Sequence, residues 1–445
     1  MALKVLLISY NFPPLMRAGS LRTASWFKHF SEEIDITVIT RKWDAEKNYF
    51  WHNYYSEDLG NNETEIISTH KKIIRVANKH NWFYKIKNNR FSQALKINKL
   101  CSLLEMFLKW TPLHTFENER GLYFAAKQLM LKEKFDVVVV SGEPFVTFKY
   151  AYQLYKQFET PYILDYRDPW IFNVFRRSGN KLGQIHIEKN QEQRFVKNAA
   201  LVTSVSSKNI AIIRKNLANQ NSDKFKIIPN GLDDELLELK KQFENYIGDE
   251  QVFVMTFIGT LYPQHQMVWI LDAIESIIED KEHTTQPIIK LVGAMNSCPD
   301  KHKHAIEHFQ LRHPENIQIM PQMPQREAWV EMFKSDVLIK FNAFTQEENH
   351  FGKKLYEYAA SEKSVISINC SEEMPKQSPF FYDKDFQFFC SNRTDIHEQI
   401  QSFITTKREK KQTKKSKISN ADLAPFTNSV IVKSLEKLLL QHFSK

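Results

Sequence analysis

The chain has 445 residues, more than a single hydrophobic core usually reaches, so two domains are expected. Its 42% apolar and 13% aromatic content is that of a globular protein with ample material for buried cores. The net charge of +9 could suggest a nucleic-acid partner, but its distribution argues otherwise: Lys407–Lys417 alone, with seven Lys/Arg and one Glu, supplies +6 of it.

The chain opens on an apolar stretch, Leu3–Ile8, too short for a signal peptide and followed by no small-residue cleavage site before Pro13-Pro14. No run approaches the length of a membrane span. Cys101, Cys298, Cys370 and Cys390 lie far apart without a CxxC pair or a Cys/His cluster, which reads as reduced structural thiols. A cytosolic protein is expected, with a peripheral position at the inner face of the cell membrane as a further reading.

In chain order, Val5–Ile8 is a buried-type strand, followed by a loop to Gly19, a helical pattern over Leu21–Phe30 and a strand at Ile34–Ile39. Further strands are predicted at Phe135–Val140, Tyr162–Leu164, Leu201–Val205 and Lys226–Ile228, with helices such as Gly121–Lys132 and Phe148–Gln157 between them. Strands apolar on both faces that alternate with helices predict a parallel sheet covered on both sides. Residues 78–113 break this alternation with mixed aromatic and basic residues. They read as an insertion packed on its own domain, or as a segment lying in a membrane interface.

Pro229-Asn230-Gly231 reads as a turn, and the polar stretch to about Glu250 as a linker. The alternation then restarts with strand Val252–Ile258, helix Met267–Glu279, strands Ile288–Val292 and Ile317–Ile319, helix Gln325–Lys334 and strand Val337–Phe341. The expected architecture is α/β: two doubly wound Rossmann-like domains facing each other across a cleft. Their expected spans are 1–236 and 251–405, with 406–445 as a basic linker and a helix returning to the first domain. The basic run reads as solvated, with an anionic membrane surface as the alternative partner.

Between strands Val337–Phe341 and Ser364–Ile368 lies Asn349-His350-Phe351-Gly352-Lys353-Lys354-Leu355-Tyr356-Glu357. A glycine loop feeding a helix N-terminus offers unpaired amides and a positive dipole end to a phosphate. Lys353 and Lys354 add charge, and Glu357, about one turn into the helix, is placed to take two ribose hydroxyls. The plain alternative is a strand-to-helix connection with solvated lysines.

Several loops in this order resemble the bacterial GT-B glycosyltransferases of family 4, in the branch carrying a D-x-R-D-P-W element. They are Asn11-Phe12-Pro13-Pro14 with Ala18-Gly19-Ser20; Ser141-Gly142-Glu143-Pro144-Phe145; Asp165-Tyr166-Arg167-Asp168-Pro169-Trp170; Ile228–Asp233; Ile258-Gly259-Thr260-Leu261; and the lysine loop. The resemblance implies a donor site of Gly259, Thr260, His265, Asn349, Phe351, Gly352, Lys353, Lys354, Leu355 and Glu357. Glu357 falls on the ribose-binding glutamate, while Asn349 stands where the family has a sugar-binding glutamate. Thr260 and His265 stand where it often has arginine and lysine. Gly19, with Ser20, falls on the loop whose glycine lets donor and acceptor approach.

Arg167, Asp168 and Glu143 are the catalytic candidates on the first domain; an Arg167–Asp168 ion pair and a helix-start carboxylate at Glu143 are their structural alternatives. The implied reaction is retaining transfer of a sugar from a UDP- or GDP-sugar to a glycan or lipid-linked acceptor, with no metal. A nucleotide-sugar 2-epimerase and a catalytically weak nucleotide-sugar-binding partner are the rivals.

Overall fold

The computed structural model describes residues 2–15, 18–44, 60–77, 84, 86, 89, 97–112, 114, 117–171, 182–215, 217, 222–280, 285–296, 298–341, 353–368, 386–409 and 420–444. Two compact units are present, Met1–Asn230 with Asn428–Lys445, and Gly231–Thr427.

Among the described residues the first unit has eight strands: β1 (Leu3–Ser9), β2 (Ile34–Arg41), β3 (Glu63–Ser68), β4 (Lys71–Val76), β5 (Val137–Gly142), β6 (Tyr162–Tyr166), β7 (Leu201–Ser204) and β8 (Phe225–Ile227). Their order is β3-β4-β2-β1-β5-β6-β7-β8. All pairs are parallel except β3 with β4. The helices here are α1 (Ala18–His29), α2 (Ile97–Leu108), α3 (Arg120–Met130), α4 (Val146–Phe158), α5 (Leu182–Asn198) and α6 (Ser207–Lys215).

Strand periodicity places the cores. Leu6 and Ile8 join Val138 and Val140 in one apolar cluster, while Val5 and Leu7 join Val137 and Val139 in another. Alternate residues therefore point to opposite covered faces, as a doubly wound parallel sheet requires.

Among the described residues the second unit has six parallel strands: β9 (Val252–Ile258), β10 (Gln286–Val292), β11 (Ile317–Met320), β12 (Val337–Phe341), β13 (Ser364–Ile368) and β14 (Gln387–Cys390), ordered β11-β10-β9-β12-β13-β14. Its helices are α7 (Asp234–Lys241), α8 (Met267–Glu279), α9 (Asp300–Arg312), α10 (Gln325–Phe333), α11 (Lys353–Ser361), α12 (Arg393–Arg408) and the short α13 (Asn420–Leu423). The last helix, α14 (Asn428–Phe443), returns to the first unit. There Leu435 and Leu439 pack with Trp26 and Phe30 of the first core, and the Glu436 carboxylate accepts from the Ser31 amide and hydroxyl at 2.8 Å each.

Part of the stretch read as a linker is helical. Asp233 caps α7 by accepting from the Glu235 amide at 3.2 Å, and Leu236 and Leu239 are buried against Trp329 and Met332. Two leucines three apart amid acidic and basic neighbours are an amphipathic face, not a solvated tether. Lys407, the first residue of the basic run, is not a loose surface charge either. It ends α12 with its ammonium 2.7 Å from the Asp336 carboxylate and 2.6 Å from the Val252 carbonyl. Residues 410–419 of that run lie outside the described residues.

Among the described residues no helix is long and apolar enough to cross a membrane. Cys101, Cys298 and Cys390 are free thiols; Cys370 lies outside the described residues.

Candidate active site

In an open parallel sheet the crevice for ligands forms where the strand order reverses, beyond the carboxyl ends. In the second unit that point lies at β9, flanked by β10 and β12. Gly259 follows β9 directly and has φ +127°, a region that L side chains rarely adopt. A methyl group on it would overlap the Lys354 ammonium. Lys354 sits in the first turn of α11, reaches the end of β9 and donates to the Ile258 carbonyl, with its ammonium 5.7 Å from the Phe257 ring centre.

The positive φ requires glycine at position 259, and any side chain there would also have to displace the end of Lys354. Gly259→Ala is expected to cost about 1–3 kcal/mol of stability. Chemical denaturation of the variant should show that loss; a midpoint equal to the native one would mean the turn is not held at positive φ.

Burial lowers the Lys354 pKa, and the Glu357 carboxylate one turn on opposes that shift. Lys340, on β12, is pushed down to about 8 by burial and then by the charge of Lys354. Two ammonium groups that repel each other at a switch point, beside a helix N-terminus, are an arrangement that a polyanion would favour. Glu357 is positioned by Gln325, the first residue of α10, whose amide donates to the carboxylate at 2.7 Å.

Thr260 is exposed next to Gly259. His265 stacks on Phe341 with ring centres 4.5 Å apart, and its Nδ1 accepts from the Tyr262 amide at 3.3 Å. Burial, then His302 and Lys354, push its pKa down to about 3, so the ring is neutral and carries its proton on Nε2. It therefore brings no positive charge to the end of β9. The Leu355 side chain is 1% exposed and belongs to the core, so only its main chain is available to a ligand. Lys353 begins α11, and its side chain lies outside the described residues, as do Asn349, Phe351 and Gly352.

In the first unit the strand order reverses at β1, between β2 and β5. There the structure brings together Gly19, Glu143 and Arg167. Arg167 follows β6 and donates through Nε to the Gly142 carbonyl at 2.5 Å and through Nη2 to the Glu143 carbonyl at 3.4 Å. Asn11, just past β1, donates to the same Glu143 carbonyl at 3.0 Å. The Arg167 guanidinium thus fixes the turn after β5 rather than forming the Asp168 ion pair that was its structural alternative. It also lies directly on Gly19, where any side chain would overlap it. A side chain at 19 would therefore have to push the Arg167 guanidinium off the Gly142 carbonyl. Ser20 is fully buried on α1, and its hydroxyl has no hydrogen-bond partner among the described residues. Asp168 is half-buried at the same strand end.

Beneath this edge lies a buried ion pair. Both Asp165 oxygens accept from Arg22, at 2.8 and 3.1 Å, and also from Ser141 at 2.9 Å and Thr203 at 2.8 Å. Arg22 continues to the Pro229 carbonyl at 3.0 Å and the Asn230 side chain at 3.3 Å. Trp170, the last residue of the D-x-R-D-P-W element, is core: it stacks on Phe145 with centres 5.4 Å apart.

Neither a protein-family model nor a curated protein matches the chain. Solved structures do. A sucrose-phosphate synthase from Thermosynechococcus elongatus is similar over 99% of both chains, with a TM-score of 0.63 and 14% identity. Anabaena HepE in complex with UDP and glucose is similar over 99% of this chain and 100% of its own, with a TM-score of 0.56 and 13% identity. The chain has the GT-B fold. The fold does not single out one chemistry, since a UDP-GlcNAc 2-epimerase from Methanocaldococcus jannaschii also matches, over 99% of this chain and 100% of its own, with a TM-score of 0.51 and 12% identity.

Within this GT-B chain, Lys340 and Gln325 went unforeseen in the sequence. Lys340 carries a signal, since it is a lysine at the carboxyl end of an otherwise apolar strand. Gln325 carries none, because its partner is 32 residues away.

Proposed function

We propose that the chain is a retaining glycosyltransferase that moves a sugar from a nucleotide-diphosphate sugar to a hydroxyl acceptor in surface polysaccharide or lipid-linked glycan synthesis. The observation that carries this reading is the arrangement at the end of β9. Gly259 at positive φ leaves room for Lys354, Lys340 adds a second cation, and Glu357 follows one helical turn on. The amides of the α11 N-terminus and the two lysines would take the diphosphate, and Glu357 the ribose hydroxyls. As the diphosphate departs it gains negative charge, and preoriented cations stabilise that charge more than the bound ground state. Arg167, Asp168 and Glu143 would act on the acceptor side of the first unit. HepE and the sucrose-phosphate synthase support this reading as GT-B neighbours, one of them holding UDP.

A thermal-shift screen of UDP-, GDP-, ADP- and CMP-sugars tests it, since a donor that binds the folded chain raises the melting temperature. Glu357→Ala is expected to weaken the stabilising donor by about 10–100-fold, the loss of a hydrogen-bonded charged group. An unchanged donor affinity would remove Glu357 from the site. Release of nucleotide or isomerisation of the sugar without acceptor would favour the epimerase reading. Donor binding with no turnover on any glycan or lipid acceptor would favour a binding partner.

A further inference from the structure

Helix α6 holds an amide that the fold satisfies at one end only. Asn209 is fully buried. Its Nδ2 donates to the Arg167 carbonyl at 3.0 Å, while its buried Oδ1 has no hydrogen-bond partner among the described residues. A buried amide oxygen without a donor costs stability, and a leucine would fill much the same branched shape without that cost. The helix does not need the asparagine side chain either. The bond that caps α6 runs from the main-chain amide of Asn209 to the Ser206 hydroxyl at 3.2 Å, and any residue but proline would make it. What the side chain alone supplies is its bond to Arg167.

That bond bears on Asp168. The Arg167 carbonyl belongs to the planar peptide that joins Arg167 to Asp168, so holding the oxygen holds the plane on the amino side of Asp168. On the other side stands Pro169, which restricts the residue before it to extended backbone. Trp170, stacked on Phe145, anchors the chain just beyond. The plane before Arg167 is held in the same way, by the Ser204 hydroxyl, which donates to the Tyr166 carbonyl at 2.8 Å. The half-buried Asp168 carboxylate has no hydrogen bond or ion pair of its own among the described residues. Its backbone therefore aims it, and Asn209 fixes that backbone from outside the loop.

We propose that Asn209 is a positioning residue, which holds the Arg167–Asp168 peptide so that the Asp168 carboxylate meets the acceptor hydroxyl. This rests on the sugar-transfer reading, in which Asp168 lies on the acceptor side. Asn209→Leu tests it. The variant is expected to melt within ~3 °C of native, since the lost hydrogen bond is offset by removal of an unpaired oxygen. Donor affinity should be unchanged, while kcat for transfer falls by ~10–100-fold. In an Asp168→Asn background the same substitution should slow transfer no further, because it acts through that carboxylate. Asn209→Ala makes the same comparison if leucine does not fit. Hydrogen exchange of the ligand-free protein reads the turn directly, and residues 165–170 should exchange ~10-fold or more faster in either variant. Transfer at the native rate, an undiminished effect in the Asp168→Asn background, or unchanged exchange would each overturn the proposal. Native protein that binds a donor but transfers to no acceptor would instead sink the sugar-transfer reading, and exchange at residues 165–170 would still decide whether Asn209 holds the turn.

Discussion

Asp165→Ala is expected to remove about 3–5 kcal/mol of stability from the first unit, the largest loss of any single substitution considered. The reason is what it leaves behind. Asp165 is fully buried and receives four hydrogen bonds, two from Arg22 and one each from Ser141 and Thr203. Without the carboxylate, a buried guanidinium keeps its charge but loses its counter-ion, and two buried hydroxyls lose an acceptor. Arg22→Ala should cost a similar amount for the mirror reason. Replacing both with apolar residues, Arg22→Met/Asp165→Leu, should cost clearly less than the two single losses added, since no unpaired charge remains. Urea denaturation of the four proteins measures this coupling. Hydrogen exchange should place the loss in β5, β6 and β7, which the network ties together, and leave β9 to β13 protected. A single-variant cost below about 1 kcal/mol, the range of an exposed pair, would show that the ion pair is not a structural keystone. The network also orders the site: it holds α1, which carries Gly19, against β6, which Arg167 follows.

The architecture was legible because parallel strands buried on both faces leave a strong signal. Val137 to Val140 can be little else than a central strand, and β5 is found there. The β3–β4 hairpin carries a weaker signal: every residue of β3 is exposed, and its two apolar residues, Ile66 and Ile67, are adjacent, so they point to opposite faces and mark no single buried one. At the candidate site, single residues with backbone reasons were readable, such as Gly259. Residues whose role depends on distant partners were not. Asp165 opens a six-residue landmark in the sequence, yet only the structure shows its engagement with Arg22, 143 positions away. Leu355 lies in the lysine loop and reads as a ligand contact, but its helix turns the side chain into the core. A motif gives sequence neighbourhood; the 100° turn per residue decides which neighbours face the ligand.

Lys354→Ala is expected to slow sugar transfer by about 10²–10³-fold while weakening donor binding less, because an oriented charge acts most strongly where negative charge develops. Desolvation disfavours the charged form of Lys354, and the Lys354 charge in turn disfavours that of Lys340. A diphosphate relieves both penalties, so its binding should pull Lys340 back toward its ordinary pKa of 10.5 from about 8. Two opposite pH trends follow. In the ligand-free protein the folded state holds fewer protons than the unfolded state between pH 8 and 10.5, so this lysine makes stability rise with pH across that window and lowers it as pH falls through 8. Donor affinity runs the other way and should fall above about pH 8, as Lys340 loses the proton that the diphosphate needs. Lys340→Met should flatten the affinity profile. Lys354→Ala should move its midpoint upward by removing the repelling neighbour. Calorimetric titration of the donor identified by thermal shift, from pH 7 to 10, reads both effects. A profile that is flat in the native protein, or unmoved by Lys354→Ala, would separate the two lysines from the diphosphate and from each other.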